Sequence, residues 1–100
     1  MKPHILAEGA LKEQLSLLNG WSREGNAIRK TVKLNDFVHA MGFVNSVALL
    51  AEKMNHHPDI DIRYCVVRLA LHTHDVGGVS DRDFSLARVI DGQSAGPNPV

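Results

Sequence analysis

The stretch IRYCVVRLALHT, residues 62–73, decides the fold class of this chain. It is rich in β-branched and apolar side chains, and apolar residues recur at every second position, which is typical of a strand with one buried face. The apolar face consists of Cys65, Val67, Leu69 and Leu71. We therefore predict one long, central strand over residues 62–73, and the neighbouring elements are assigned outward from it.

A β-hairpin and a long helix precede this strand. The segments 21–24 and 27–34 flank a Gly-Asn turn, and polar and apolar residues alternate along the second segment, which predicts a hairpin with one solvated face. After the hairpin, Asn35 or Asp36 can cap a helix that runs to about residue 54. The two apolar rows of this helix exceed what one sheet contact requires, so a second subunit is a further candidate to cover it.

Two more helices complete the pattern. Apolar residues at three- and four-residue steps predict a helix over residues 3–19, and Ser80 is the expected cap of a last helix that ends before Gly92. The order helix, strand, strand, helix, strand, helix predicts an α+β fold with helices on one face of an antiparallel β-sheet of about four strands. Because only three strands are evident, a fourth is expected around residues 55–61 or through pairing across a dimer.

Composition limits the classes of protein to which the chain can belong. The 100 residues include 11 Lys and Arg, 11 Asp and Glu, and a single cysteine, Cys65. One domain is predicted over residues 1–92, and the segment 93–100 has nothing to bury and is predicted to be disordered. The zero net charge excludes the broad basic surface of a general nucleic-acid binder, and a lone cysteine indicates a reducing compartment. The apolar stretch 41–51 is too short to span a bilayer and no signal peptide is evident, so we expect a cytoplasmic protein with neither membrane nor nucleic acid as a partner.

Histidine is the unusual feature of the composition. The chain has six histidines, and four of them lie between residues 56 and 74. Metal ligation, acid–base chemistry and ordinary structural positions compete to explain these four, which are His56, His57, His72 and His74. The other two, His4 and His39, are predicted to be ordinary helical residues.

A metal site is the weaker explanation. His72 and His74, two positions apart on the predicted strand, point to one face, but adjacent residues such as His56 and His57 point apart. Cys65 would project from the opposite face of the strand. We therefore predict no metal ligands in this cluster.

Acid–base chemistry explains the cluster better, because an imidazole titrates near neutral pH without extreme burial. Several carboxylates are available to orient an imidazole, namely Glu52, Asp59, Asp61, Asp75 and Asp83. No arrangement of Ser, His and Asp or of Cys and His indicates a covalent nucleophile.

The motifs around these histidines resemble those of a known family. They are EKMNHHP at residues 52–58, Tyr64, THD at 73–75, Gly77-Gly78, SDRD at 80–83 and LA at 86–87. Their spacing, together with Gly20-Trp21, Asp36-Phe37 and Gly42-Phe43 upstream, is similar to that of the pterin-4a-carbinolamine dehydratases. The likeness extends over residues 11–90, which is nearly the whole predicted domain.

The resemblance implies a fold, an assembly and a reaction. The fold is a four-stranded antiparallel sheet with helices on one side, assembled as a homodimer or homotetramer. The reaction is that of a hydro-lyase, the dehydration of 4a-hydroxytetrahydropterin to quinonoid dihydropterin during tetrahydropterin recycling. The resemblance implies no metal and no organic cofactor, and an aromatic amino acid hydroxylase is the expected pathway partner.

The resemblance also implies residue roles. His56 and His74 are the expected acid catalysts, and His57 is expected to assist catalysis and to hold the pterin. The expected substrate-binding residues are His57, Glu52, Asp83, Thr73 and Asp75. His72 lies outside the family motif and is interpreted as a neighbour of His74 without a catalytic role.

Several other residues have a structural interpretation. Trp21 is expected to anchor the core rather than to stack on a pterin, Tyr64 to be a structural strand residue, and Cys65 to pack as a small hydrophobe. Ile60 stands where family members often carry an aromatic residue, which would loosen a wall of the pterin pocket.

The alternative is a protein of a different class, a dehydratase-like binding or assembly protein without significant catalysis. Relatives of the family include protein-partner scaffolds and a transcriptional coactivator, and the broadly apolar helix over residues 35–54 would supply the binding surface. The three motif histidines argue for the enzyme, because a scaffold has no physical need of them.

Overall fold

A four-stranded antiparallel sheet organises the protein, whose structure is a computed structural model that describes residues 4–93. The elements in chain order are α1 (Glu8–Ser16), β1 (Ser22–Glu24), β2 (Ala27–Lys33), α2 (Phe37–Met54), β3 (Asp59–Arg63), β4 (Val66–Leu71), a short 3₁₀ helix (His74–Val76) and α3 (Asp81–Asp91). The strand order across the sheet is β1-β2-β4-β3, and all neighbouring strands are antiparallel. The predicted α+β fold is confirmed.

One face of the sheet is apolar and carries the helices. Val67 of β4 pairs with Val32 on one side and with Ile62 on the other, so the three side chains form an apolar row across the sheet. The helices add to this core Leu11 from α1, Ala40, Phe43, Val47 and Ala51 from α2, and Phe84, Leu86, Ala87 and Ile90 from α3. The opposite face carries charged residues such as Arg29 and Arg68, as the alternation in the sequence predicts.

The single long strand predicted over residues 62–73 is wrong. The chain reverses at Tyr64 and Cys65, so that β3 ends at Arg63 and the antiparallel β4 begins at Val66. Tyr64 has a left-handed backbone with φ 53° and is 67 % exposed, so it is a turn residue and not a strand residue. The sequence hides this turn because no Gly, Pro, Asn or Asp marks it between two apolar runs.

The same hairpin supplies the fourth strand. β3 overlaps the region 55–61, where the sequence predicts a hidden strand, and it completes the sheet within one chain. Ile60 and Ile62 of β3 pack against the core. Cys65 is buried in the turn, which confirms its interpretation as a small hydrophobe.

The first helix is shorter than the predicted span of residues 3–19. Before α1 the chain is extended, because Ile5 forms a β-bridge with Ser80 and the N–H of Leu6 donates to the carbonyl of Val79 at 3.0 Å. Ile5 lies so close to Gly78 that a Cβ there would come within 2.8 Å of its side chain, so glycine permits this contact. His4 therefore lies outside α1, and its prediction as a helical residue is wrong.

The long helix α2 begins where the sequence predicts. Oδ1 of Asp36 accepts a hydrogen bond from the N–H of His39 at 2.8 Å, so Asp36 is the cap, and His39 is helical as predicted. The inner face of α2 packs into the core, but Val38 and Leu49 are 77 % and 74 % exposed. Part of the apolar surface of this helix is therefore uncovered in the single chain.

An ion pair fastens the end of α3 to the sheet. Nζ of Lys30 on β2 lies 2.7 Å from Oδ1 of Asp91, the last residue of α3, and only 6 % of the lysine side chain is exposed. The indole N–H of Trp21 donates to the same carboxylate at 3.0 Å. Trp21 is itself buried in the core, which confirms its prediction as an anchor.

Among residues 4–93, no helix is long and apolar enough to cross a membrane. Of the segment 93–100, predicted to be a disordered tail, Gln93 is described, and its side-chain N–H donates to the carbonyl of Ile90 at 3.1 Å. The rest of that segment lies outside the described residues.

The Lys30–Asp91 pair predicts a large loss of stability when one partner is removed. Lys30→Met leaves a largely buried carboxylate without its cation, so we expect the free energy of unfolding to fall by about 3 kcal/mol in urea denaturation. The double variant Lys30→Met/Asp91→Leu should recover much of this loss, because it removes both charges. Lys33→Met, on the same strand but exposed, is the control and should change stability by less than about 0.5 kcal/mol. Equal effects of the two lysine substitutions would show that the ion pair does not stabilise the fold.

The cap of α2 predicts a pH dependence of stability. The hydrogen bond from the backbone N–H of His39, followed by the bond to its side chain, lowers the pKa of the Asp36 carboxyl below its ordinary value of 3.8. Because the pKa is lower in the folded state, this stabilisation is complete above the unfolded pKa and is lost as the pH falls through the folded pKa. Asp36→Asn also caps but does not titrate, so the wild type should lose stability relative to it between about pH 5 and pH 3. Urea midpoints at the two pH values measure this, and a difference between the two proteins that does not change with pH contradicts it.

Candidate active site

The end of α2 turns His56 into the protein and His57 out of it. Asn55 adopts a left-handed conformation with φ 49°, and the N–H of His56 donates to the carbonyl of Ala51 at 3.1 Å, which closes the helix. His56 is then 9 % exposed, whereas the side chain of His57 is 55 % exposed. The two adjacent imidazoles therefore occupy different environments.

Asp83 is the partner of His56. Nε2 of His56 lies 2.5 Å from Oδ1 of Asp83, whose side chain is fully buried in the first turn of α3. The other oxygen of Asp83, Oδ2, accepts a hydrogen bond from the N–H of Ser80 at 2.9 Å and one from the hydroxyl of Thr73, also at 2.9 Å. Thr73 follows β4, so the ends of α2 and β4 and the beginning of α3 meet at one carboxylate.

The surroundings of this carboxylate fix its position and orient the imidazole beside it. The amino end of α3 provides the positive end of a helix dipole, and Oδ2 receives two hydrogen bonds. Oδ1 is left to face His56, and a carboxylate held in this way determines how the imidazole ring is oriented. His56 and Asp83 thus form a buried imidazole–carboxylate pair.

A second imidazole–carboxylate pair lies at the surface. Nε2 of His57 is 2.6 Å from Oε1 of Glu52, on the last turn of α2, and the two side chains are 55 % and 78 % exposed. Such a pair is open to solvent and to a ligand. Water and salt screen the electrostatic interaction within this exposed pair more than the interaction within the buried pair.

His74 begins the 3₁₀ helix and is exposed. Because β4 ends at Leu71, His72 and His74 do not lie together on a strand as predicted. Their rings nevertheless meet edge to face, with centroids 4.4 Å apart and planes at 71°. Asp75 is exposed, and its side chain makes no hydrogen bond or ion pair with any residue that the structure describes.

The structure thus divides the predicted site residues into groups. His56, Thr73 and Asp83 form one buried hydrogen-bonded network, and His57 with Glu52 forms the exposed pair. His74 adjoins the buried network through its chain neighbour Thr73. Among the described residues, no side-chain hydrogen bond or ion pair joins Asp75 to either group.

A pocket with a volume of ≈ 380 Å³ opens beside His56. Its lining consists of Met54, Asn55, His56, Asp81, Arg82 and Ser85. The imidazole of His56 is therefore mostly buried yet borders a space that a small polar molecule can enter.

Ser80 is the member of the network whose role the sequence did not reveal. Its prediction as a helix cap is confirmed, but its hydroxyl also lies 2.6 Å from that of Thr73. The Ser-x-x-Asp spacing of residues 80 and 83 is a capping-box signature, which would have indicated that the Asp83 carboxylate reaches back to Ser80. No local signal indicates that Thr73 and His56 reach the same carboxylate.

Metal-ligating side chains do not converge within residues 4–93, where no group of three or more His, Cys, Asp or Glu is arranged to hold an ion. Cys65 lies before β4 and His72 follows it, so about 20 Å of strand separates the two. The cysteine is therefore kept away from the histidines by distance along the strand. The sequence pattern instead predicts that it lies on the opposite face of one longer strand.

The fold and the site together define a small α+β domain that carries a buried carboxylate–imidazole pair and additional imidazoles at its surface. A family model described as Pterin 4 alpha carbinolamine dehydratase matches residues 4–93. The chain belongs to this family, which confirms the resemblance seen in its motifs.

Relatives and a solved structure agree with this assignment. Proteins named "Putative pterin-4-alpha-carbinolamine dehydratase" from Roseiflexus sp. (strain RS-1) and Chloroflexus aurantiacus are 52% and 54% identical to this chain over 86 residues, covering 86% of this chain and 92% of each relative. A crystal structure of a protein called transcriptional coactivator/pterin dehydratase, from Brucella melitensis, matches with a TM-score of 0.84 and 37% identity, over 89% of this chain and 100% of that one.

Proposed function

We propose that the protein dehydrates 4a-hydroxytetrahydropterin to quinonoid dihydropterin and water, and that His56 and His74 carry out the acid–base chemistry while His57 assists by holding the pterin. The observation that carries this proposal is the buried His56–Asp83 pair at the border of a pocket, in a chain of this family. The names of the relatives support the same reaction.

The reaction asks for two proton transfers, which neutral and protonated imidazoles can perform near neutral pH. The bond between the ring carbon and the hydroxyl breaks as a proton reaches the leaving oxygen, and water departs. The adjacent ring nitrogen gives up its proton, and its electron pair forms the new carbon–nitrogen double bond. His56 and His74 share these two tasks in the proposal, and neither step requires a metal or an organic cofactor.

The remaining site residues hold the substrate or the catalysts. We assign the exposed pair of His57 and Glu52, with Asp75, to the binding of the polar pterin ring, because these side chains are accessible. Thr73 and Asp83 are 3 % and 0 % exposed, so their burial favours a role in supporting His56 over a direct contact with substrate.

We also propose a homodimer or homotetramer in the cytoplasm that supplies a pathway containing an aromatic amino acid hydroxylase. The exposed apolar residues of α2, including Phe37 at 51 % as well as Val38 and Leu49, favour self-association. The domain of residues 1–92 would be the repeating unit of this assembly.

A partner-binding protein is the second candidate. The Brucella melitensis protein is called a transcriptional coactivator as well as a pterin dehydratase, and the exposed apolar surface of α2 would equally serve a different protein. A stoichiometric protein complex together with a failure of the pure protein to speed the dehydration would favour this candidate.

The proposed reaction predicts which histidines matter. With 4a-hydroxytetrahydropterin as substrate, we expect His56→Ala and His74→Ala each to lower kcat/KM by about 100-fold or more, because each removes a proton-transfer group. His57→Ala should mainly raise KM. Stopped-flow absorbance, which follows formation of the quinonoid product, measures all three.

The matched control is His39→Ala. His39, on α2, is also an exposed imidazole hydrogen-bonded to a carboxylate, with Nδ1 2.7 Å from Oδ1 of the cap residue Asp36, but it stands at the opposite end of the helix from His56. Its activity should equal that of the wild type. A wild-type rate no faster than the uncatalysed dehydration would refute the enzyme.

A further inference from the structure

Two buried hydroxyl groups extend the His56–Asp83 pair into the protein. Oγ1 of Thr73 lies 2.6 Å from Oγ of Ser80 and 2.9 Å from Oδ2 of Asp83. Oγ of Ser80 in turn accepts the backbone N–H of Arg82 at 3.2 Å. Thr73, Ser80 and Asp83 are 3 %, 0 % and 0 % exposed, so bulk solvent cannot substitute for any of these contacts.

The number of protons available determines which group donates and which accepts in each hydrogen bond of this network. A hydroxyl has one proton to donate, and an ionised carboxylate oxygen can only accept. The Thr73 proton therefore belongs to Asp83, and the Ser80 proton belongs to Oγ1 of Thr73, because its other contact, the N–H of Arg82, is itself a donor. The Arg82 N–H thus donates to Ser80, the Ser80 hydroxyl to Thr73, and the Thr73 hydroxyl to Oδ2 of Asp83.

The direction of these hydrogen bonds determines which ring nitrogen of His56 carries the proton. Oδ2 of Asp83 already receives the Thr73 hydroxyl and the Ser80 N–H, so a proton on that oxygen would meet two donors. In the ordinary ionised form of an aspartate, Oδ1 is then an acceptor, 2.5 Å from Nε2 of His56. Nε2 must then carry the hydrogen, which leaves Nδ1 as the ring nitrogen with a free electron pair in the neutral imidazole.

We propose that Thr73 and Ser80 are positioning residues that keep the proton of His56 on Nε2, so that His56 exchanges protons with its ligand through Nδ1. The first half of this statement concerns the protein alone, and the second half rests on the proposed function. The hydroxyls do not touch the substrate. They act through Asp83.

The position of the proton can be measured without any assay of activity. In protein labelled with ¹⁵N-histidine, with His56→Gln to assign the signals, we expect Nε2 of His56 to resonate as a protonated nitrogen and Nδ1 as a bare one at a pH where the ring is neutral. On addition of tetrahydropterin, which lacks the 4a-hydroxyl, the Nδ1 signal should move more than the Nε2 signal. A proton on Nδ1 of the wild type, or a ligand-induced shift of Nε2 alone, would overturn the proposal.

Variants of the hydroxyls test the positioning role. Thr73→Val keeps the shape of the side chain but removes the hydroxyl that links Ser80 to Asp83. We therefore expect mixed tautomers of His56 and a fall in kcat of about 10-fold with little change in KM. Such a loss is typical when a group that orients a catalytic histidine is removed. Thr73→Ser keeps the hydroxyl and should restore both the single tautomer and kcat. Ser80→Ala should act in the same direction as Thr73→Val.

Thr31→Val is the matched control, because it makes the same exchange on the outer face of β2 and should leave both readouts unchanged. If Thr73→Val does not fold, the wild-type spectrum still decides the position of the proton. A single Nε2–H tautomer in Thr73→Val would refute the positioning role. The expected tautomer in a wild-type protein that does not dehydrate the substrate would support the positioning role and refute the proposed reaction, so the two failures are distinguishable.

Discussion

One buried negative charge organises the site of this protein. Asp83 is wholly removed from water, and such a charge is tolerated only when hydrogen bonds replace its hydration. Its partners come from three separate places in the chain, namely His56 after α2, Thr73 after β4 and Ser80 before α3. Each of these connections is therefore constrained by the same carboxylate, and displacing any one of them would leave a buried charge incompletely satisfied.

The position of that carboxylate depends in turn on how α3 is held. The helix is held at its first turn through Asp83 and at its last residue through Asp91, which pairs with Lys30 of β2 and with Trp21, the residue before β1. Between these two points its apolar side chains pack into the core above the sheet. A helix held at both ends and along one face presents Asp83 to His56 with little freedom, which suits the proton-transfer role proposed for His56.

The same fold keeps other histidines in contact with solvent. His57 and His74 lie on the exposed side of the segments whose inner residues, His56 and Thr73, are buried. Of each pair of chain neighbours, one residue thus lies inside the hydrogen-bonded network and the other is accessible from solvent. This division favours catalysis as the proposed role of the cluster, because a surface that only bound a protein partner would not require a buried charge beneath it.

Local patterns in the sequence determined the α+β class, the first hairpin, the extent of α2 with a cap at Asn35 or Asp36, and the family to which the chain belongs, because periodicity, capping residues and motif spacing are properties of contiguous segments. They also indicated His56, Thr73 and Asp83 individually. Only the tertiary structure decided that these three side chains meet, because the number of residues between them does not determine their distance in space. It also decided that the chain reverses at Tyr64, because an apolar run without a turn residue fits one strand and two equally well until the sheet selects between them.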